Sequence, residues 1–153
     1  MKRLFTILIA VLFAFGIGGC KKNDENADKR VYSCDEVFDI AKSNMDVSQM
    51  EEADADMLNL LMSIDAKDFT ELKYLAPQTN LNTNQILVVK GNDEVDKKID
   101  EYLKNETELY ESYLPEEAQK LKNAEKFKVG DLTVLLVGNS KEEVSKARAA
   151  IEK

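Results

Sequence analysis

The chain has 153 residues, 29 of them acidic and 21 basic, for a net charge of −8, and it contains no histidine and no tryptophan. An acidic balance excludes nonspecific nucleic-acid binding, which needs a basic surface. The missing histidine removes the commonest neutral-pH acid–base group and metal ligand.

Residues 1–20 read MKRLFTILIAVLFAFGIGGC. Lys2 and Arg3 form a positive n-region, Leu4 to Phe15 an apolar h-region, and Gly16 to Gly19 are small enough for a peptidase cleft. The run is short of the roughly 20 apolar residues that a membrane span needs. It resembles a bacterial lipoprotein signal peptide ending in a lipobox, Ile17-Gly18-Gly19-Cys20. The alternatives are an uncleaved anchor and ordinary secretion, and the small-small-Cys ending argues against both. The resemblance implies that residues 1–19 are removed and that Cys20 carries a diacylglyceryl group on its thiol, with its amine open to acylation such as palmitate. Each buried CH₂ then adds about 0.8 kcal/mol of membrane affinity. The expected location is the outer face of the cytoplasmic membrane, or an outer membrane where the cell has one. Loss of Lys2 and Arg3 takes the net charge from −8 to −10.

Lys21 to Arg30 (KKNDENADKR) has no large apolar side chain and cannot support a core. Residues 20–31 are therefore expected to be a lipidated cysteine and flexible tether, and 32–153 a single domain large enough for its own core. With Cys20 lipidated, Cys34 has no intramolecular partner.

Ser33-Cys34-Asp35-Glu36 has capping-box spacing, and Val37, Phe38, Ala41 and Met45 follow at helical intervals, which predicts a helix over 34–45. Val47 to Asp56 reads as an acidic connection. Met57, Leu60, Leu61 and Ile64 predict a short second helix capped by Asp54 or Asp56. The period then changes. Leu72, Tyr74 and Ala76 alternate with polar residues and predict a strand over 69–77; Pro77 to Asn84 is a loop of turn formers; Gln85 to Lys90 is a second strand. Val95, Ile99, Leu103, Glu106, Leu109 or Tyr110, and Tyr113 mark a helix over 93–113; Pro115 either stops it or opens another turn from Glu116 to Asn123. Gly130-Asp131 joins two strands of a hairpin within 125–139. Ser140 to Glu143 repeats the capping-box spacing ahead of a last helix carrying Val144, Ala147 and Ile151.

The order α-α-β-β-α-β-β-α predicts an α+β fold: a four-stranded antiparallel sheet with helices packed on one face. The lipoprotein start, Ala55-Asp56-Met57-Leu58…Ile64-Asp65, Ile86-Leu87-Val88-Val89-Lys90, the Val95-to-Tyr113 helix, Leu121-Lys122-Asn123-Ala124 and the Val134-to-Val137 strand together resemble domain-of-unknown-function family 4358. The resemblance covers Val31 to Lys153. It implies small lipoproteins and exported proteins of Gram-positive bacteria, mostly clostridial, with an α+β domain, and it supplies no catalytic residue and no substrate.

Candidate sites are sparse. Tyr102, Tyr110 and Tyr113 share a helix with Leu103 and Leu109, as an aromatic strip for stacking on glycan or as the border of the core. Cys34 sits at a helix start, where the dipole favours thiolate; cross-linking of two copies and inert packing are its other readings. Glu51, Glu52, Asp54 and Asp56, with Asp46 nearby, crowd one connection but lack the glycine and the twelfth-position glutamate of an EF-hand loop. No metal, no cofactor and no catalytic residue is expected. The function expected is a non-enzymatic binding or interaction module of the cell envelope. Its partners would be the membrane, through lipid on Cys20, and another envelope protein or a glycan, with no nucleic acid. A carboxylate-dependent hydrolase or transferase acting on envelope material is the alternative, and a solute-capture lipoprotein ranks behind both.

Overall fold

The computed structural model of the protein describes residues 30–153. The expectations for the signal segment, for Cys20 and for most of the tether fall outside the described residues.

The elements are α1 (Cys34–Asn44), β1 (Met50–Glu52), α2 (Ala55–Met62), a 3₁₀ turn (Ala66–Asp68), β2 (Phe69–Pro77), β3 (Gln85–Gly91), α3 (Asp93–Glu111), α4 (Pro115–Lys122), β4 (Glu125–Val129), β5 (Leu132–Val137) and α5 (Lys141–Ile151). The fold is α+β with one antiparallel sheet, in the strand order β1-β2-β3-β5-β4.

Three features depart from the sequence-based expectation. The sheet has five strands, not four. The added strand, β1, lies in the acidic connection and pairs Met50, Glu51 and Glu52 with Pro77, Ala76 and Leu75. Three residues are too few to show a period of two, and only Met50 turns inward. The element order therefore differs: β1 separates the first two helices, and Pro115, at a first helical position, opens an eight-residue helix rather than a single turn.

Helices also cover both faces of the sheet rather than one. On one side α1 and α5 pack Val37, Phe38, Ala41, Val144, Ala147 and Ile151 against Ile86, Val88, Val134 and Leu136. On the other, α2, α3 and α4 pack Leu58, Met62, Val95, Ile99, Ala118 and Leu121 against Leu87, Val89, Leu135 and Val137. The central strands dictate this cover. Every residue of β5 is buried, and a strand that is apolar at consecutive positions exposes half its side chains unless both faces are roofed.

Local chemistry sets the helix starts. The Ser33 hydroxyl accepts from the Glu36 amide at 3.1 Å, but the Glu36 carboxylate pairs with Arg30 instead of reaching back. Asp54 caps α2 by accepting from Asp56 and Met57. Asn92 caps α3 through the Glu94 amide at 3.0 Å, and Ser140 caps α5 through the Glu143 amide at 3.2 Å. Among the described residues no helix is long and apolar enough to cross a membrane.

Candidate functional site

The loop between β2 and β3 is built from polar side chains turned inward. Asn82, Thr83, Asn84 and Gln85 are all buried. Asn82 Nδ2 donates to the Gln49 carbonyl and Gln78 Nε2 to that of Met50, which ties the loop to β1. Thr83 donates its amide and its hydroxyl to one oxygen of Glu117, at 2.9 and 2.8 Å, and Glu117 in turn pairs with Lys120. Asn84 donates to Asn139 at 2.7 Å, while its own Oδ1 is buried without a partner.

This loop, α2 and α3 enclose a cleft of ≈270 Å³. Met57 and Leu61 of α2, Pro77 at the end of β2, and Tyr102 and Tyr110 of α3 supply its apolar walls; Glu51 of β1 and Glu106 of α3 supply its carboxylates. The short helix is turned differently from its expected stripe. Leu58 and Met62 point into the core, whereas Leu60 is 75% exposed. Leu81, at the tip of the loop, is exposed as well.

The three tyrosines singled out in the sequence separate. Tyr102 and Tyr110 are buried members of the α2–α4 core and line the cleft. Tyr113 lies past the end of α3, half exposed, with its ring stacked on Tyr110 at 5.1 Å between centroids. Tyr110 donates its hydroxyl to the Asn80 carbonyl at 2.8 Å. Tyr102 accepts from Gln85 Nε2 at 2.8 Å, and Gln85 Oε1 accepts from Tyr74 at 3.0 Å. Burial pushes the Tyr102 phenol up to about 12, so it keeps its proton. Burial alone raises Glu106 above the ordinary carboxylate value.

Gln85 was not recognisable as a site residue from sequence, and Glu106 was read only as part of the helical stripe of α3. The signal for Glu106 was present: a carboxylate standing on an otherwise apolar helical stripe, four residues after Tyr102. Gln85 opens an apolar strand, and nothing local ties it to a tyrosine 17 residues on.

The remaining candidates sit elsewhere. Cys34 is buried in the α1–α5 core; its thiol donates to the Val88 carbonyl at 3.3 Å and is raised to about 11, chiefly by burial and then by Glu71 and Asp35. The carboxylates of the acidic connection diverge. Asp54 caps α2, Asp46 accepts from the Ser48 amide at 3.0 Å, and Glu51 turns to the cleft. Among the described residues, no group of three or more His, Cys, Asp or Glu converges on a point that would hold a metal ion.

No curated protein and no solved structure matches the chain. Residues 43–138, which take in the whole sheet, α2 to α4 and the cleft, match the model of the domain of unknown function DUF4358, and the chain belongs to that family.

Proposed function

We propose that the chain is an extracytoplasmic lipoprotein of a Gram-positive bacterium. Cys20 carries the lipid, residues 20–31 form the tether, and the domain over 32–153 is a non-enzymatic binding module of the cell envelope that uses the α2–α3 cleft. The N-terminal pattern of Lys2-Arg3, an apolar run and Ile17-Gly18-Gly19-Cys20 supports the anchor. The observation that carries the binding role is the cleft itself. Apolar side chains line it, Leu61 among them exposed, and Leu81 stands exposed on the loop that bounds it, on a chain in which a third of the residues are charged.

Two variants test this reading. Cys20→Ala is expected to release the protein from membranes; a membrane-bound variant overturns the lipid anchor. Cross-linking in native cells, followed by mass spectrometry, is expected to capture an envelope partner with the unaltered chain and to lose it with Leu61→Arg. Equal capture by both chains, with the variant folded, overturns the assignment of the cleft.

A second reading has one observation in its favour. Glu51 and Glu106 line the same cleft, and the burial that raises Glu106 suits a general acid. A hydrolase or transferase acting on envelope material would lose all turnover in Glu106→Gln.

A further inference from the structure

The direction of the hydrogen bonds behind the cleft leaves one donor without an acceptor. Gln85 Nε2 faces the Thr83 carbonyl at 3.4 Å as well as the Tyr102 oxygen at 2.8 Å. A carbonyl only accepts, so the amide nitrogen lies on that side and Oε1 lies toward Tyr74, which donates to it. The Tyr102 oxygen is thus an acceptor, and its own proton meets no acceptor among the described residues. Tyr102 is only 9% exposed, and a buried donor left unmade is costly. Its side chain lines the cleft, where an incoming group would supply the missing acceptor.

The charge of the cleft is also unanswered. Several carboxylates elsewhere in the fold have cations: Glu117 with Lys120, Glu125 with Arg148, Asp68 with Lys98, Asp96 with Lys128. Glu51 and Glu106 form no ion pair with a described lysine or arginine. Glu106 stands half-buried beside apolar walls that lower the local dielectric and strengthen any charge that enters, and Glu51 lines the same cleft from an exposed position.

Resting on the binding reading above, we propose that the cleft takes a lysine or arginine side chain from an extended segment of a partner protein. The cation sits between Glu106 and Glu51, its methylene stem runs along Met57 and Leu61, and a carbonyl of the same segment accepts the Tyr102 hydroxyl. The size fits: ≈270 Å³ accommodates one or two side chains, not a folded surface. An acidic group meets two carboxylates. A purely apolar group leaves Glu106 desolvated and unpaired. A sugar needs open aromatic faces, and the Tyr102 and Tyr110 rings are buried.

The chain has five tyrosines, so ring-labelled tyrosine gives a small NMR spectrum of the full chain in detergent micelles. The probes are acetyl-leucyl-lysyl-leucine amide and its glutamyl counterpart. The lysyl peptide is expected to shift the Tyr102 and Tyr110 rings saturably and leave Tyr32 unmoved, and the glutamyl peptide to bind at least about tenfold more weakly. Glu106→Gln is expected to weaken the lysyl peptide about tenfold and Tyr102→Phe about fivefold, with melting curves recorded to show both variants folded. If Glu106→Gln does not fold, Glu51→Gln, at an exposed position of β1, reads the same charge. Equal affinity for the two peptides, or an affinity indifferent to loss of the carboxylates, overturns the cationic segment while the ring shifts still mark the cleft as a binding site. No shift at Tyr102 or Tyr110 with either peptide overturns the proposal, and the Leu61→Arg cross-linking comparison then decides the underlying reading independently.

Discussion

Glu143, in the first turn of α5, accepts the backbone amide of Asp46, 97 residues earlier in the chain, at 2.6 Å. Its second oxygen accepts the Asn139 amide at 2.7 Å. One side chain thus closes the start of α5 and fastens the α1–β1 connection to it. Glu143→Ala is expected to cost about 2 kcal/mol, because two backbone donors lose a charged acceptor at once. Glu143→Gln, which keeps one acceptor oxygen, should cost less. Urea denaturation checks the order; equal stability of all three chains would show the contact to be energetically idle.

Two glycines separate backbone strain from crowding. Gly130 joins β4 to β5 at φ +60, and a Cβ there meets only the Tyr32 ring at 3.7 Å. Gly130→Ala should therefore cost about 1 kcal/mol through the left-handed conformation alone, and Gly130→Asn less. Gly91 has no such φ, but a Cβ would lie 2.9 Å from the Asp68 carbonyl and 2.6 Å from Val95. Gly91→Ala should be the more damaging, since a main-chain atom has to move. Thermal melts of the three variants test the ranking.

What the sequence reveals follows from the range of each signal. The caps at Ser33, Asp54 and Ser140, the alternation through Leu72, Tyr74 and Ala76, and the Gly130 turn are all local, and the elements they mark are present. β1 is three residues of an otherwise acidic stretch, so its pairing with Leu75 to Pro77 leaves no pattern. The two-sided cover of the sheet was visible in the largely apolar run of Leu132 to Val137, broken only by Thr133, yet a layout drawn from strand order alone places every helix on one side. For the cleft, the tyrosine stripe of α3 was legible, but which of Leu109 and Tyr110 faces inward was not, and Leu60 passes for a core residue by spacing alone. The Gln85–Tyr102 contact joins a strand to a helix and exists only after both have packed on the sheet.

Asp54 distinguishes a helix cap from an ion ligand in the acidic connection. It accepts the Asp56 and Met57 amides, both at 3.1 Å. Asp54→Ala should lower stability by about 1 kcal/mol, the usual value of an N-cap. EDTA should leave the melting temperature of the unaltered chain in place. A drop on chelation that Asp54→Ala abolishes would mark a cation site instead.

Leu135 lies on the interior strand β5, pairs across to Leu87 and Lys126, and has no exposed surface. Leu135→Asp places a carboxylate in the α2–α4 core, where the cross-strand cation, Lys126, is already held by Asp100 and the Asp96 carbonyl. The expected loss exceeds about 4 kcal/mol, enough to abolish a cooperative transition in a domain of ordinary stability. A melting curve close to that of the unaltered chain would show that β5 is not buried on this face.

Cys34 makes stability depend on pH in the alkaline range. Burial holds its thiol at about 11 in the folded chain, above the ordinary value of 9.0. The folded state therefore keeps its proton where the unfolded chain releases it. The stabilisation is complete below pH 9 and is lost as pH rises through about 11. Tyr74, Tyr102 and Tyr110 are raised in the same direction by burial, so the whole chain weakens in that window, and only the difference between variants isolates the thiol. Cys34→Ala should be less stable than the parent at pH 7 through the lost packing, with the gap narrowing steadily from pH 9 to pH 11. A thiol reagent should modify Cys34 only at the rate of unfolding, because the sulfur is buried under α1 and bonded to Val88. Rapid modification of the folded chain at pH 7, or a gap independent of pH, would refute the buried, protonated thiol.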